Sequence, residues 1–130
     1  MTAITLNDII ITLTVIIGGG SLRDNIKGGA LTEVTFYILL ALYEPRHGYA
    51  VMQFIEEKTG GRLILGAGTL YGALNNLEAR GWIAPLGNET GGRKKSYLIT
   101  GPGKAAAEQD RLRLSALLKT AGEIMEGADD

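Results

Sequence analysis

The sequence predicts a mainly α-helical domain carrying a small β-hairpin, followed by a C-terminal helix. Three patterns predict it. Leu70, Leu74 and Leu77 recur at i, i+4 and i+7, the spacing of one helix face. Residues 82–86 and 96–100 are β-prone runs that bracket a stretch rich in glycine and cations, as in a hairpin with a long tip. Leu114, Leu117, Leu118, Ala121 and Met125 then fall on one apolar stripe of a last helix. A chain of 130 residues suits one domain plus an extra element.

Residues 1–20 stand apart. Ile9 to Ile17 is β-branched almost throughout, which favours strand over helix, and Gly18-Gly19-Gly20-Ser21 reads as a flexible linker. An added strand, an oligomer contact and a loose tail all fit this composition. Residues 1–29 are therefore read as an N-terminal extension with its linker. The apolar stretch Ile4 to Ile17 is broken by Asn7, Asp8 and threonines and is too short to span a bilayer as a helix. With no basic leading region and no small-residue cleavage site, a signal peptide is not expected, and a cytoplasmic protein is.

Residues 30–43 read as the first helix, with Thr32 or Gly29 capping its start and Pro45 ending it. Its second half is apolar nearly all round, the mark of a buried central helix. Residues 48–58 form an amphipathic helix with Val51, Met52 and Ile55 on one face, stopped by Gly60-Gly61. Arg62-Leu63-Ile64-Leu65 reads as a short strand. The third helix covers residues 69–80, with Thr69 as N-cap and Gly81 as its stop. The hairpin strands, 82–86 and 96–100, flank the tip from Gly87 to Lys95, and Pro102-Gly103 closes the unit. A fourth helix runs from Lys104 to about Met125. The order spells a winged helix-turn-helix over residues 30–102, with a dimerisation helix and tail over 103–130. In that arrangement the third helix enters a DNA major groove and the hairpin tip touches the flanking backbone.

The net charge of −1 announces no polyanionic partner, but its distribution does more. Residues 62–104 hold six basic and two acidic groups, net +4, whereas the segments before and after are net −2 and −3. Local sign governs phosphate binding more than the total. On the third helix, burying the leucines leaves Thr69, Tyr71, Gly72, Asn75 and Asn76 outward, hydroxyl and amide groups suited to phosphates and base edges. At the tip, Arg93, Lys94 and Lys95 follow Gly91-Gly92, where a bare backbone can approach a phosphate chain and cations displace counterions. Double-stranded DNA is thus the expected partner. A winged helix that binds only other proteins is the alternative, since the scaffold also serves without nucleic acid.

Enzyme chemistry finds no residues. There are no cysteines, which excludes disulfides, a thiol nucleophile and a Cys-based zinc site. His47 is the single histidine, and the sequence reads it as a structural, hydrogen-bonding residue rather than a metal ligand or base. Gly66-Ala67-Gly68 would need a third glycine where Tyr71 stands, and Lys95-Ser96 lacks the preceding glycine of a phosphate loop. No serine has a nucleophile-elbow context. No cofactor and no metal are expected. Trp82, directly after the third helix, is read as core between hairpin and helix.

Several of these residues together resemble the PadR family of transcriptional regulators. They are Leu31-Thr32-Glu33 through Leu42, His47-Gly48-Tyr49, Gly68-Thr69-Leu70-Tyr71-Gly72-Ala73-Leu74, Leu77-Glu78, Gly81-Trp82-Ile83, Gly92-Arg93-Lys94-Lys95-Ser96-Tyr97, Ile99-Thr100 and Gly103-Lys104. The resemblance covers roughly residues 22–126 and leaves out residues 1–20. It implies a sequence-specific regulator, a repressor acting as a homodimer on an inverted-repeat operator and joined through the C-terminal helix. It further implies that Thr69 and Tyr71 begin the recognition helix and that Arg93 and Lys94 are wing contacts. Some family members respond to phenolic acids or planar hydrophobic drugs held at the dimer interface, so the resemblance implies a small effector there. One short C-terminal helix resembles the compact branch of the family.

Overall fold

The computed structural model describes residues 29–87 and 95–128. Four helices and three strands follow in the order α1 (Glu33–Ala41), β1 (Arg46–His47), α2 (Gly48–Lys58), α3 (Ala67–Ala79), β2 (Ile83–Leu86), β3 (Ser96–Ile99) and α4 (Gly101–Ala128). The strands form one antiparallel sheet of order β1-β3-β2, with Arg46 opposite Tyr97 and Ile83 opposite Ile99. Among the described residues, one compact unit spans Thr32–Ala107, and a second contains residues 29–31 and 108–128.

Within the first unit each element follows from local chemistry. Thr32 caps α1, its hydroxyl accepting from the Thr35 amide at 3.1 Å. At the other end the Arg46 guanidinium donates to the Ala41 carbonyl, placing a cation on the C-terminal carbonyls, and lies 4.6 Å over the Phe54 ring. His47 caps α2 through Nδ1, which accepts from the Ala50 amide at 3.4 Å. The core gathers Ile38, Leu39, Leu42, Val51, Ile55, Leu70, Leu74, Leu77, Ile83, Tyr97 and Ile99, all buried. Each of the first three helices therefore buries one side against the others and the sheet. The expected face of α2 is buried at Val51 and Ile55, while Met52 is half-buried. α1 is less enclosed than its composition suggests: Leu40 is exposed, as is Tyr43 just beyond its end.

Four expectations need correction. Residues 62–65 are not a strand: the Leu63 amide donates to the Thr59 hydroxyl at 3.0 Å, a local turn contact, and Ile64 is 69% exposed. The third strand is instead Arg46–His47, two residues that pair with β3 and are too short to show periodicity. α3 begins at Ala67, so Thr69 lies inside its first turn and the N-cap is Gly66, which has no side chain to offer. Pro102 and Gly103 do not close the hairpin but stand in the first turn of α4, where proline's missing N–H costs nothing. Thr100 starts that helix, its hydroxyl accepting from the Gly103 amide at 3.2 Å. Trp82 is half-buried rather than core, with the Arg80 guanidinium 5.0 Å over its ring; its backbone carbonyl accepts from the Thr100 amide at 3.0 Å.

Candidate nucleic-acid interface

Burying Leu70, Leu74 and Leu77 turns the opposite side of α3 outward, and Thr69, Tyr71, Gly72, Asn75 and Asn76 are all exposed there. Gly66, Ala67 and Gly68 at its start are exposed as well, and no side-chain hydrogen bond caps the helix. The first-turn amides thus meet small residues and solvent, a surface that a backbone phosphate can approach closely. Asn75 follows Tyr71 by four residues on the same outward side. Asn76 is already engaged, its Oδ1 accepting from Arg80 Nε at 3.2 Å.

Tyr71 is not a free side chain. Its ring crosses to the first residue of α2: a Cβ built on Gly48 would stand 2.4 Å from the Tyr71 hydroxyl oxygen and 2.6 Å from Cζ. The residue is nonetheless 44% exposed, so the phenol meets α2 at its hydroxyl end without being enclosed. The helical spacing places Tyr71 on the surface but gives no sign of this contact. The only signal for it is Gly48, a glycine opening a helix where other residues fit better.

The electropositive middle of the chain is partly neutralised by its own surface. Arg62 grips Glu33 with both terminal nitrogens, one at 3.2 Å. That hydrogen bond holds the Glu33 carboxyl below the usual carboxylate range and raises Arg62 in turn. Lys95 stands 3.8 Å from Glu78 of α3 and 5.5 Å over the Tyr97 ring, at the foot of the hairpin. Lys104 lies 5.7 Å over the Tyr43 ring. Arg93 and Lys94, expected as the foremost wing contacts, lie outside the described residues.

In the second unit, α4 exposes Leu114, Leu117, Leu118 and Met125, the last three at 55%, 70% and 66%; Ala121 is half-buried. Ile124 is also exposed at 65% and was missed, although it follows Leu117 by seven residues. Asp110 is the buried charge among the described residues, accepting from Arg113 Nε at 2.7 Å and from the Leu31 amide at 3.3 Å. No group of three or more His, Cys, Asp or Glu that could hold a metal occurs among the described residues. No described helix is long and apolar enough to cross a membrane.

Comparison with known proteins agrees with this architecture. A transcriptional regulator from Clostridium thermocellum is 25% identical with a TM-score of 0.60, covering 70% of this chain and 90% of that one. A PadR family transcriptional regulator from Eggerthella lenta shares the fold at 22% identity and a TM-score of 0.61, over 95% of this chain and 98% of that one. An uncharacterized 37.1 kDa protein in transposon TN4556 of Streptomyces fradiae is 38% identical over 97 residues, 74% of this chain. The chain spans about a quarter of that relative's length, 26%. The family model for the transcriptional regulator PadR-like family matches residues 38–109, from the middle of α1 through the hairpin into α4. The chain belongs to the PadR-like family of transcriptional regulators.

Proposed function

We propose that this protein is a sequence-specific regulator that binds double-stranded DNA as a homodimer, most simply a repressor on an inverted-repeat site in the cytoplasm. One observation carries the reading: the outward side of α3 is polar and open at Thr69, Tyr71, Gly72 and Asn75, and the hairpin that follows it carries Arg93-Lys94-Lys95. α3 supplies the base-reading surface and the hairpin supplies charge to the flanking phosphates. Of the other cations of the middle segment, Arg62 and Lys95 are paired with the carboxylates of Glu33 and Glu78, whereas Lys104 over the Tyr43 ring keeps its charge and shares the long-range attraction with Arg93 and Lys94. The stripe Leu114, Leu117, Leu118, Ala121 and Met125 joins the two copies, and a small hydrophobic or phenolic effector acts where they meet.

The test is DNA binding measured across a salt series. Wild-type protein should shift duplex DNA with an affinity that falls steeply as salt rises. Replacing Arg93 and Lys94 by Ala should weaken binding to selected and random duplexes alike and flatten the salt slope by roughly one for each lost phosphate contact. Salt-independent binding, or none, would refute the reading.

A further inference from the structure

Two glycines among the described residues have a neighbour within hard contact of an added Cβ, Gly48 and Gly103. Gly48 is buried at the first position of α2 and its φ lies outside the left-handed region, so its backbone would accept any residue. Glycine in such a place gives up helix propensity for nothing local. What it provides is room. Three atoms of the Tyr71 phenol, the hydroxyl oxygen, Cζ and Cε1, stand 2.4, 2.6 and 2.9 Å from where a Cβ would sit. The hydroxyl end of the ring of a residue on the outward side of α3 therefore stands against the start of α2, just after the His47 cap.

We infer that Gly48 is a positioning residue for DNA recognition: by admitting the Tyr71 ring it fixes the direction of that phenol and the outward surface of α3 around it. The inference rests on the DNA-binding reading above. It follows from the chemistry of the contact. A phenol has two rotatable side-chain torsions, and a ring whose hydroxyl end is lodged against Gly48 is restricted in both, so the direction of its exposed part is set before DNA arrives. A methyl at position 48 takes that place away. Because the colliding atoms are the far end of a side chain, the ring can swing outward, and the fold survives while the surface offered to the groove changes. The effect of Gly48 on DNA passes through Tyr71 alone.

A double-mutant cycle tests this. The probes are a duplex enriched from a randomised pool by the wild-type chain and a random duplex of equal length. Gly48→Ala should melt within a few degrees of wild type, yet bind the enriched duplex about tenfold more weakly, the size of coupling seen between touching residues, with less change on the random duplex. In chains that also carry Tyr71→Ala, adding Gly48→Ala should change affinity less than twofold, because nothing remains to displace. Equal losses in both backgrounds, or no loss in either, would overturn the inference and leave DNA binding standing. Loss of folding in Gly48→Ala would also overturn it, since a movable ring should yield to one methyl. Failure of the wild-type chain to enrich any duplex would remove the DNA-binding reading first, and this one with it.

Discussion

Asn75 presents an amide that can both donate and accept, the pairing that suits adenine in the major groove. It is exposed on α3 four residues beyond the anchored Tyr71. Asn75→Ala should therefore lower affinity for an enriched duplex more than for a random one, and competition binding with the two duplexes measures the difference; an equal loss would assign Asn75 to backbone positioning. The Glu33–Arg62 pair makes a different prediction. The Arg62 hydrogen bond depresses the folded Glu33 pKa, so the pair's contribution is present above the unfolded value and fades as pH falls through the folded one. Both groups are exposed, and the effect on stability should be small. Arg62→Ala should raise the Glu33 titration midpoint toward that of an ordinary glutamate, read by carboxyl-carbon NMR. At this scale the sequence was legible where a residue's role depends on its own segment. Thr32 as a cap and His47 as a hydrogen-bonding residue are two such cases. It was silent where the partner is distant: the Arg80 hold on Asn76 is one turn away, but the Tyr71 contact joins two helices.

At the scale of elements, α2, α3 and the hairpin could be read because burial repeats along them with a fixed period. The failures share a cause, which is that hydrophobicity without period is ambiguous. Leu63-Ile64-Leu65 is apolar enough for a strand, yet it connects two helices and leaves Ile64 in solvent. Arg46–His47 has no apolar residue and is a strand only because β3 offers it an edge. The start of α4 is the sharpest case, since Gly101-Pro102-Gly103 looks like a terminator. Gly103 is there because the helix begins against the hairpin: an added Cβ would fall 2.1 Å from the Trp82 carbonyl oxygen and 2.8 Å from Ile99 Cγ1. Backbone cannot swing aside as the Tyr71 ring can. Gly103→Ala should cost about 1–3 kcal/mol of unfolding free energy, the usual range for an overpacked core, and chemical denaturation would show it. Wild-type stability in that variant would mean the first turn of α4 can move off the hairpin.

At the scale of the molecule, the exposed apolar residues of α4 call for a covering surface. The helix has 28 residues, longer than the stretch from Lys104 to Met125 that periodicity suggested, and it extends for ~42 Å. Fully burying large side chains such as Leu117 and Leu118 contributes roughly 1.5–3 kcal/mol each as an upper bound, before ordering costs. Changing Leu117 and Leu118 together to Asp should give monomers in analytical ultracentrifugation and much weaker binding to an inverted-repeat duplex, because each half-site is then held singly. A persisting dimer of unchanged affinity would put the interface elsewhere.

The sheet adds a consequence for how copies behave when DNA brings them side by side. Its two borders are β1, only two residues long, and β2, which carries the exposed Pro85. A proline has no amide to lend to another strand, and a two-residue border is too brief to template one. Neighbouring molecules along a duplex are thus denied an easy route to zip together through the described borders of this sheet. Among the described residues, the sheet therefore gives crowding on the nucleic acid little to convert into strand exchange.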